Sequence, residues 1–89
     1  MEIKKESTRY YVEGEDNNAI GELEFQSEDD HIVITHTFVD PKARGTGIGA
    51  DLVAELVNDM RQQNQKIKPV CAFAKAEFDK HQDYQDVAL

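Results

Sequence analysis

Cysteine is nearly absent from this chain of 89 residues: Cys71 stands alone. No intramolecular disulfide can form, no cysteine-built zinc site can be assembled, and a reducing compartment suits the protein. Basic residues are scarce too. Ten Lys and Arg face eighteen Asp and Glu, a net charge of -8, and nothing basic extends beyond Lys4–Lys5 and the Lys66/Lys68 pair, which argues against a nucleic-acid partner. An acidic surface favours a cationic partner instead, such as an amine. No apolar run approaches the ~20 residues of a membrane span, and the Met1–Glu6 segment has no signal-peptide hydrophobic region. The expected location is the cytoplasm, with no membrane partner. At this length the chain, residues 1–89, is expected to form one domain with one small core, and any active site must share that core.

Alternation and turn residues outline the elements. Arg9 to Glu13 is rich in Tyr and Val and runs into the turn-like Gly14–Asn18 cluster, so a strand and a loop are predicted. Ala19 to Gln26 alternates, with Gly21, Leu23 and Phe25 on one face and Glu22, Glu24 and Gln26 on the other, as a half-exposed strand does. After Ser27–Asp30, the β-branched and aromatic run His31 to Val39 reads as a central strand. Pro41 ends it, since proline has no ladder donor. Ile48, Leu52, Val53, Leu56, Val57 and Met60 then recur at helical spacing, opposite Asp51, Glu55, Asn58 and Asp59. Lys66 to Val70 is predicted as a short strand, which a right-handed crossover places parallel to the third strand. Pro69 marks an edge there, or a place where two strands part. Ala72 to Lys80 reads as a second, short helix, followed by an irregular C-terminus. The predicted fold is α+β: a mostly antiparallel sheet of about four strands with one long and one short helix.

Chemistry concentrates in Arg44-Gly45-Thr46-Gly47-Ile48-Gly49. A strand, a glycine loop and a helix in succession make an anion site, because the helix N-terminus carries unpaired N–H donors and partial positive charge. Glycines let backbone approach phosphate oxygens, and Arg44 adds a charge-assisted donor. A Walker A loop would need Lys and then Ser or Thr, where Gly49 is followed by Ala50-Asp51. The dinucleotide fingerprint is met formally by Gly45 to Ala50, but Lys66 to Val70 supplies no acid. The 40 residues after Gly49 (89 minus 49) are also too few for a doubly wound sheet.

Arg44-x-x-Gly47-x-Gly49, between a strand and a long helix, resembles the Q/R-x-x-G-x-G/A motif of the GCN5-related N-acetyltransferase superfamily. With the wider string His36 to Gly49, Pro69-Val70-Cys71 and His81-x-x-Tyr84, the sequence is similar to a subgroup of small, single-domain acetyltransferase-like proteins over nearly its whole length. The resemblance implies that acetyl-coenzyme A binds with its pyrophosphate on the backbone of Arg44, Gly45, Thr46, Gly47, Ile48 and Gly49. Pantetheine then pairs with the preceding strand at Phe38 and Val39, where two parallel strands splay. It implies acetyl transfer to an amine acceptor. Larger relatives carry helices after the first strand and two C-terminal strands that build much of the acceptor site, and this chain has no room for them. A coenzyme A sensor without transfer and a ligand-free interaction module are the rival functions.

Three residues are candidates for catalysis. His36 falls by alternation on the face of Ile32, Ile34 and Phe38, where it is either a general base or a hydrogen-bonded structural histidine. Cys71, at the start of the second helix, is either a nucleophile whose thiolate the helix N-terminus favours or a small packed thiol. Tyr84 is either an acid toward the departing thiol, a role the resemblance suggests, or a packed aromatic. His31, His36 and His81 show no ligand spacing, so no metal is expected. No residue identifies the acceptor or the oligomeric state.

Overall fold

A computed structural model describes all 89 residues. Five strands form one sheet in chain order: β1 (Lys4–Glu6), β2 (Arg9–Glu13), β3 (Ala19–Ser27), β4 (His31–Val39) and β5 (Lys66–Pro69). Neighbours β1 to β4 are antiparallel, and β5 runs parallel to β4. Between β4 and β5 the chain forms a short 3₁₀ turn (Pro41–Ala43), the glycine loop and the helix α1 (Ile48–Gln62). The helix α2 (Ala72–Lys80) follows β5. The α+β reading and both helices hold, and one strand is added. β1 has no apolar alternation and is exposed throughout, so nothing in its pattern announces a strand; it forms because β2 offers it an antiparallel edge.

α1 buries Ile48, Leu52, Val53, Leu56, Val57 and Met60 against the inward side chains of the sheet, among them Tyr10, Leu23, Phe25, Ile34 and Ile67. Each of these large side chains contributes about 1.5–3 kcal/mol by leaving water. Beyond the helix end at Gln62, Asn64 takes a left-handed φ of 58°. Gln65 N–H then bonds the Met60 carbonyl at 2.9 Å and Asn64 N–H the Arg61 carbonyl at 3.3 Å, the Schellman closure that satisfies the last carbonyls.

The C-terminus is more ordered than its sequence suggests. After a 3₁₀ turn at Gln82–Tyr84, Ile67 N–H bonds the Val87 carbonyl at 2.7 Å and Leu89 N–H bonds the Ile67 carbonyl at 2.9 Å. The last residues therefore cover the outer edge of β5.

Two irregularities shape β4. Its register with β3 jumps from Glu24↔His36 to Phe25↔Ile34, so Thr35 is an extra, bulged residue. One added residue inverts the side-chain parity beyond it. Ile32 and Ile34 point to the core, whereas His36 and Phe38 are exposed on the opposite face. The placement of His36 and Phe38 with Ile32 and Ile34, expected from uninterrupted alternation, is thus corrected. The second irregularity is that β5 pairs only with His31 to Ile34. At Pro69, which has no N–H, the ladder ends; Val70 and Cys71 both turn their N–H groups to the Ile34 carbonyl at 3.1 and 3.4 Å. The far half of β4, Thr35 to Val39, is left without a neighbour on that side.

Candidate functional site

The gap between β4 and β5 opens into a groove of about 490 Å³. Thr37 and Val39 line it from β4, Arg44, Gly45 and Gly47 from the loop, Gly49 and Ala50 from α1, and Phe73 and Glu77 from α2. The volume suits a small-molecule or cofactor site.

Backbone geometry decides which groups face the groove. Asp40 N–H bonds the Ile20 carbonyl of β3 at 2.8 Å, and antiparallel pairs alternate between bonded and non-bonded. In the register Glu22↔Phe38 and Gly21↔Val39, the Phe38 backbone therefore turns to β3, and the backbone groups of Thr37 and Val39 turn to the open edge. Consistently, the Val39 carbonyl accepts a bond from Arg44 Nε at 3.4 Å. Of the two strand positions expected to pair with pantetheine, Val39 is on the groove. Phe38 is not: its amide serves the sheet and its ring is exposed on the far face. Thr37 is the second strand residue on the groove, by the parity that the bulge imposes.

At the other end of the groove lies an array of donors. Gly45 and Gly47 both adopt φ of 86°, which L-residues with a Cβ rarely take. Gly47 is the N-cap of α1 and supplies no side-chain cap. The N–H groups of Gly45, Gly47, Ile48, Gly49 and Ala50 bond to no other residue; the first helical bond is Asp51 N–H to the Gly47 carbonyl at 2.9 Å. Thr46 is tied back instead, its N–H and hydroxyl both donating to the Ala43 carbonyl at 3.3 and 2.5 Å, and Ile48 buries its side chain in the core. Arg44 is exposed beside these donors. Free N–H groups, a helix dipole and a guanidinium together form an anion cradle, set in a molecule of net charge -8.

Phe73 and Glu77 are groove residues that the sequence reading missed. A Cβ on Gly49 would stand 2.7 Å from Phe73 Cζ and 3.3 Å from Val39 Cγ2, so the absent side chain lets β4, α1 and α2 converge at the waist of the groove. Glu77 is the one buried charged residue, 4% exposed, with Lys80 Nζ at 3.3 Å and His81 Nε2 at 3.6 Å from its carboxylate. Their signal was available in principle: Phe73 and Glu77 are four apart, hence on one helix face. Knowing which face needs the tertiary structure.

Of the proposed catalytic residues, only Cys71 lies near the groove. It is the N-cap of α2, half-buried, with its Sγ 3.7 Å from Thr37 Oγ1. His36 stands on the other side of the sheet, next to Glu22 and Glu24. Tyr84 is buried, edge-on to Phe78 at 5.4 Å and stacked on His81 at 4.5 Å. Burial, aided by Asp83 and Glu77, pushes its phenol above the ordinary value, and it does not line the groove. It packs within the C-terminal turn.

Residues 9–87 match the family model described as GCN5-related N-acetyl-transferase. The chain is similar to a GCN5-like protein from Staphylococcus aureus, solved by NMR, at 37% identity and a TM-score of 0.83 over 99% of this chain and 87% of that one. It is also similar to the crystal structure of a predicted acetyltransferase with acetyl-CoA from Clostridium acetobutylicum, at 23% identity and a TM-score of 0.60. That second likeness is one of fold: it covers 81% of this chain, and the chain spans about half of that protein, 54%. No curated protein matches.

Proposed function

The chain belongs to the GCN5-related N-acetyltransferase family, and from that membership and the groove we propose that it binds acetyl-coenzyme A and moves the acetyl group to an amine. The observation that carries the reading is the array of five acceptor-free N–H groups on Gly45 to Ala50 beside Arg44. Such an array fits a pyrophosphate, which offers several anionic oxygens to several donors at once. The open edge of β4 supports the rest. Backbone groups of Thr37 and Val39 suit an amide-bearing chain such as pantetheine, adding to the sheet as a strand would. A chain running from the cradle along this edge reaches Thr37, and Cys71 beyond it.

In the direct route the amine nitrogen attacks the thioester carbonyl carbon, the C–N bond forms and the C–S bond breaks. The departing thiolate takes the proton that the amine loses. N–H groups on the open edge of β4 stabilise the oxyanion. The position of Cys71 favours a second route, in which its thiolate takes the acetyl group first and the amine then displaces it.

Titration calorimetry with acetyl-coenzyme A tests the binding. Arg44→Glu should weaken it at least tenfold, about 1.4 kcal/mol or more, without altering the melting temperature of the free protein; an unchanged affinity would remove the pyrophosphate from residues 44 to 49. A panel of amines assayed for free-thiol release tests transfer. Binding without release would make the protein a coenzyme A sensor, and absence of both would make it an interaction module.

A further inference from the structure

The sheet face turned away from α1 gathers three donor side chains. Carboxylate oxygens of Glu22 and Glu24 and a ring nitrogen of His36 all lie within 4.8 Å of one another. Backbone geometry holds them there. Glu24 and His36 are direct cross-strand partners, and Glu22, two residues before Glu24, shares its face. His36 joins them only because Thr35 is bulged; with a regular strand its ring would point to the core with Ile34. Bulges often serve to re-aim a side chain. Arg9 Nε holds Glu22 Oε1 at 2.5 Å, leaving Oε2 available and fixing the carboxylate from outside, as partners of metal ligands do.

We propose that Glu22, Glu24 and His36 form a site for one divalent transition-metal ion of the zinc class, on the face opposite the acetyl-coenzyme A groove. The donor chemistry selects the ion. Two carboxylates alone would suit a hard cation such as Mg²⁺ or Ca²⁺, but an imidazole nitrogen shifts preference to Zn²⁺ and its neighbours. Bonds of ~2.1 Å in a tetrahedral site place donors ~3.4 Å apart, and rotation of the two exposed side chains, Glu24 and His36, toward the Glu22 carboxylate that Arg9 holds closes the remaining distance. Water completes the coordination. The ion offsets the mutual repulsion of the two carboxylates, of which Arg9 meets only Glu22, and bridges β3 to β4 at the bulge. Spacing along the chain hid the set, since His36 is twelve residues beyond Glu24 (36 minus 24) and only the strand register makes them neighbours.

The test is titration of the full chain with Zn²⁺, followed by calorimetry and by amide NMR, with Co²⁺ as an optical probe and Mg²⁺ as the hard-cation control. One Zn²⁺ per chain is expected, with resonance changes confined to β3 and β4 around Glu22, Glu24 and His36, and no response to Mg²⁺. His36→Gln and Glu24→Gln should each weaken Zn²⁺ binding by at least about tenfold and abolish the visible Co²⁺ band. Both side chains are exposed, so these variants keep their fold, and the unbound NMR spectrum checks it. Absence of Zn²⁺ binding, a response centred on Cys71, His31 or His81, or wild-type affinity in either variant overturns the assignment. None of these readouts depends on acetyl transfer.

Discussion

Gly47 and Gly49 are demanding for different reasons. At Gly47 the backbone φ of 86° is costly for any other residue, although a Cβ there would meet nothing within 4 Å. Gly47→Ala should therefore cost about 1–2 kcal/mol of stability through strain alone. At Gly49 space is the constraint. Gly49→Val would drive its side chain into Phe73 and Val39, and it should both lower the melting temperature and narrow the groove, weakening acetyl-coenzyme A binding in calorimetry. A Gly49→Val protein with native stability and affinity would mean that Phe73 swings aside freely. Cys71 is the remaining decision at this scale. If it carries acetyl, intact-protein mass spectrometry after incubation with acetyl-coenzyme A will show one added acetyl group, labile to hydroxylamine and absent in Cys71→Ala. Turnover with no adduct would leave Cys71 a packing role beside Thr37.

Among the elements, α1 was the most legible. Six apolar residues at helical spacing, a glycine-rich entry and polar residues opposite them are local facts, and local facts survive folding. Its buried stripe should behave accordingly: Leu56→Ala, at a fully buried position, is expected to cost about 2–5 kcal/mol in denaturant unfolding. β4 was legible as a strand but not in its parity. No residue type announces the bulge at Thr35; it is defined by the partner, since Glu24 pairs with His36 while Phe25 pairs with Ile34. This single unpaired residue moved His36 and Phe38 off the expected face and brought Thr37 and Val39 to the groove. Because Thr35 is the extra residue, deleting it should remove the bulge while leaving His36 and Phe38 on the outer face and Thr37 and Val39 on the groove. The variant should therefore keep its acetyl-coenzyme A affinity in calorimetry, as should Phe38→Ala, whose ring stands outside the groove; a loss of about tenfold in the deletion variant would mean that the bulge itself shapes the cofactor edge. β1 was missed for the opposite reason: it has no pattern of its own and is recruited by the edge of β2.

On the scale of the whole molecule, Asp59 links the recruited strand to the long helix. Its carboxylate accepts bonds from Lys5 Nζ at 2.8 Å and Tyr10 Oη at 2.5 Å. Burial alone would raise the Asp59 carboxyl, but these two bonds outweigh it and hold it below the usual range. Burial and the bond to Asp59 push the Tyr10 phenol up, and bonds to Asp59 and Glu55 raise Lys5. The signs fix the pH dependence. Asp59 contributes stability above its unfolded value of about 4, lost as pH falls through its lower folded value. Tyr10 and Lys5 contribute stability below their unfolded values of about 10, lost as pH rises toward their higher folded ones. Thermal unfolding should thus weaken at both extremes, with Asp59→Asn flattening the acid limb and Tyr10→Phe part of the alkaline one. Unchanged limbs would place the titration elsewhere. What the sequence by itself determined was what depends on neighbours along the chain: that β2 and β4 are strands, the periodicities of β3 and α1, and the loop-to-helix passage at Arg44 to Gly49. The point at Pro69 where a strand must lose its partner belongs with them. What only the tertiary structure decided depends on register and on which elements meet. It put His36 with Glu22 and Glu24, turned Thr37 to the groove, buried Glu77 and Tyr84, and set Phe73 against Gly49, because a strand's faces and edges acquire their meaning from the residues paired across them.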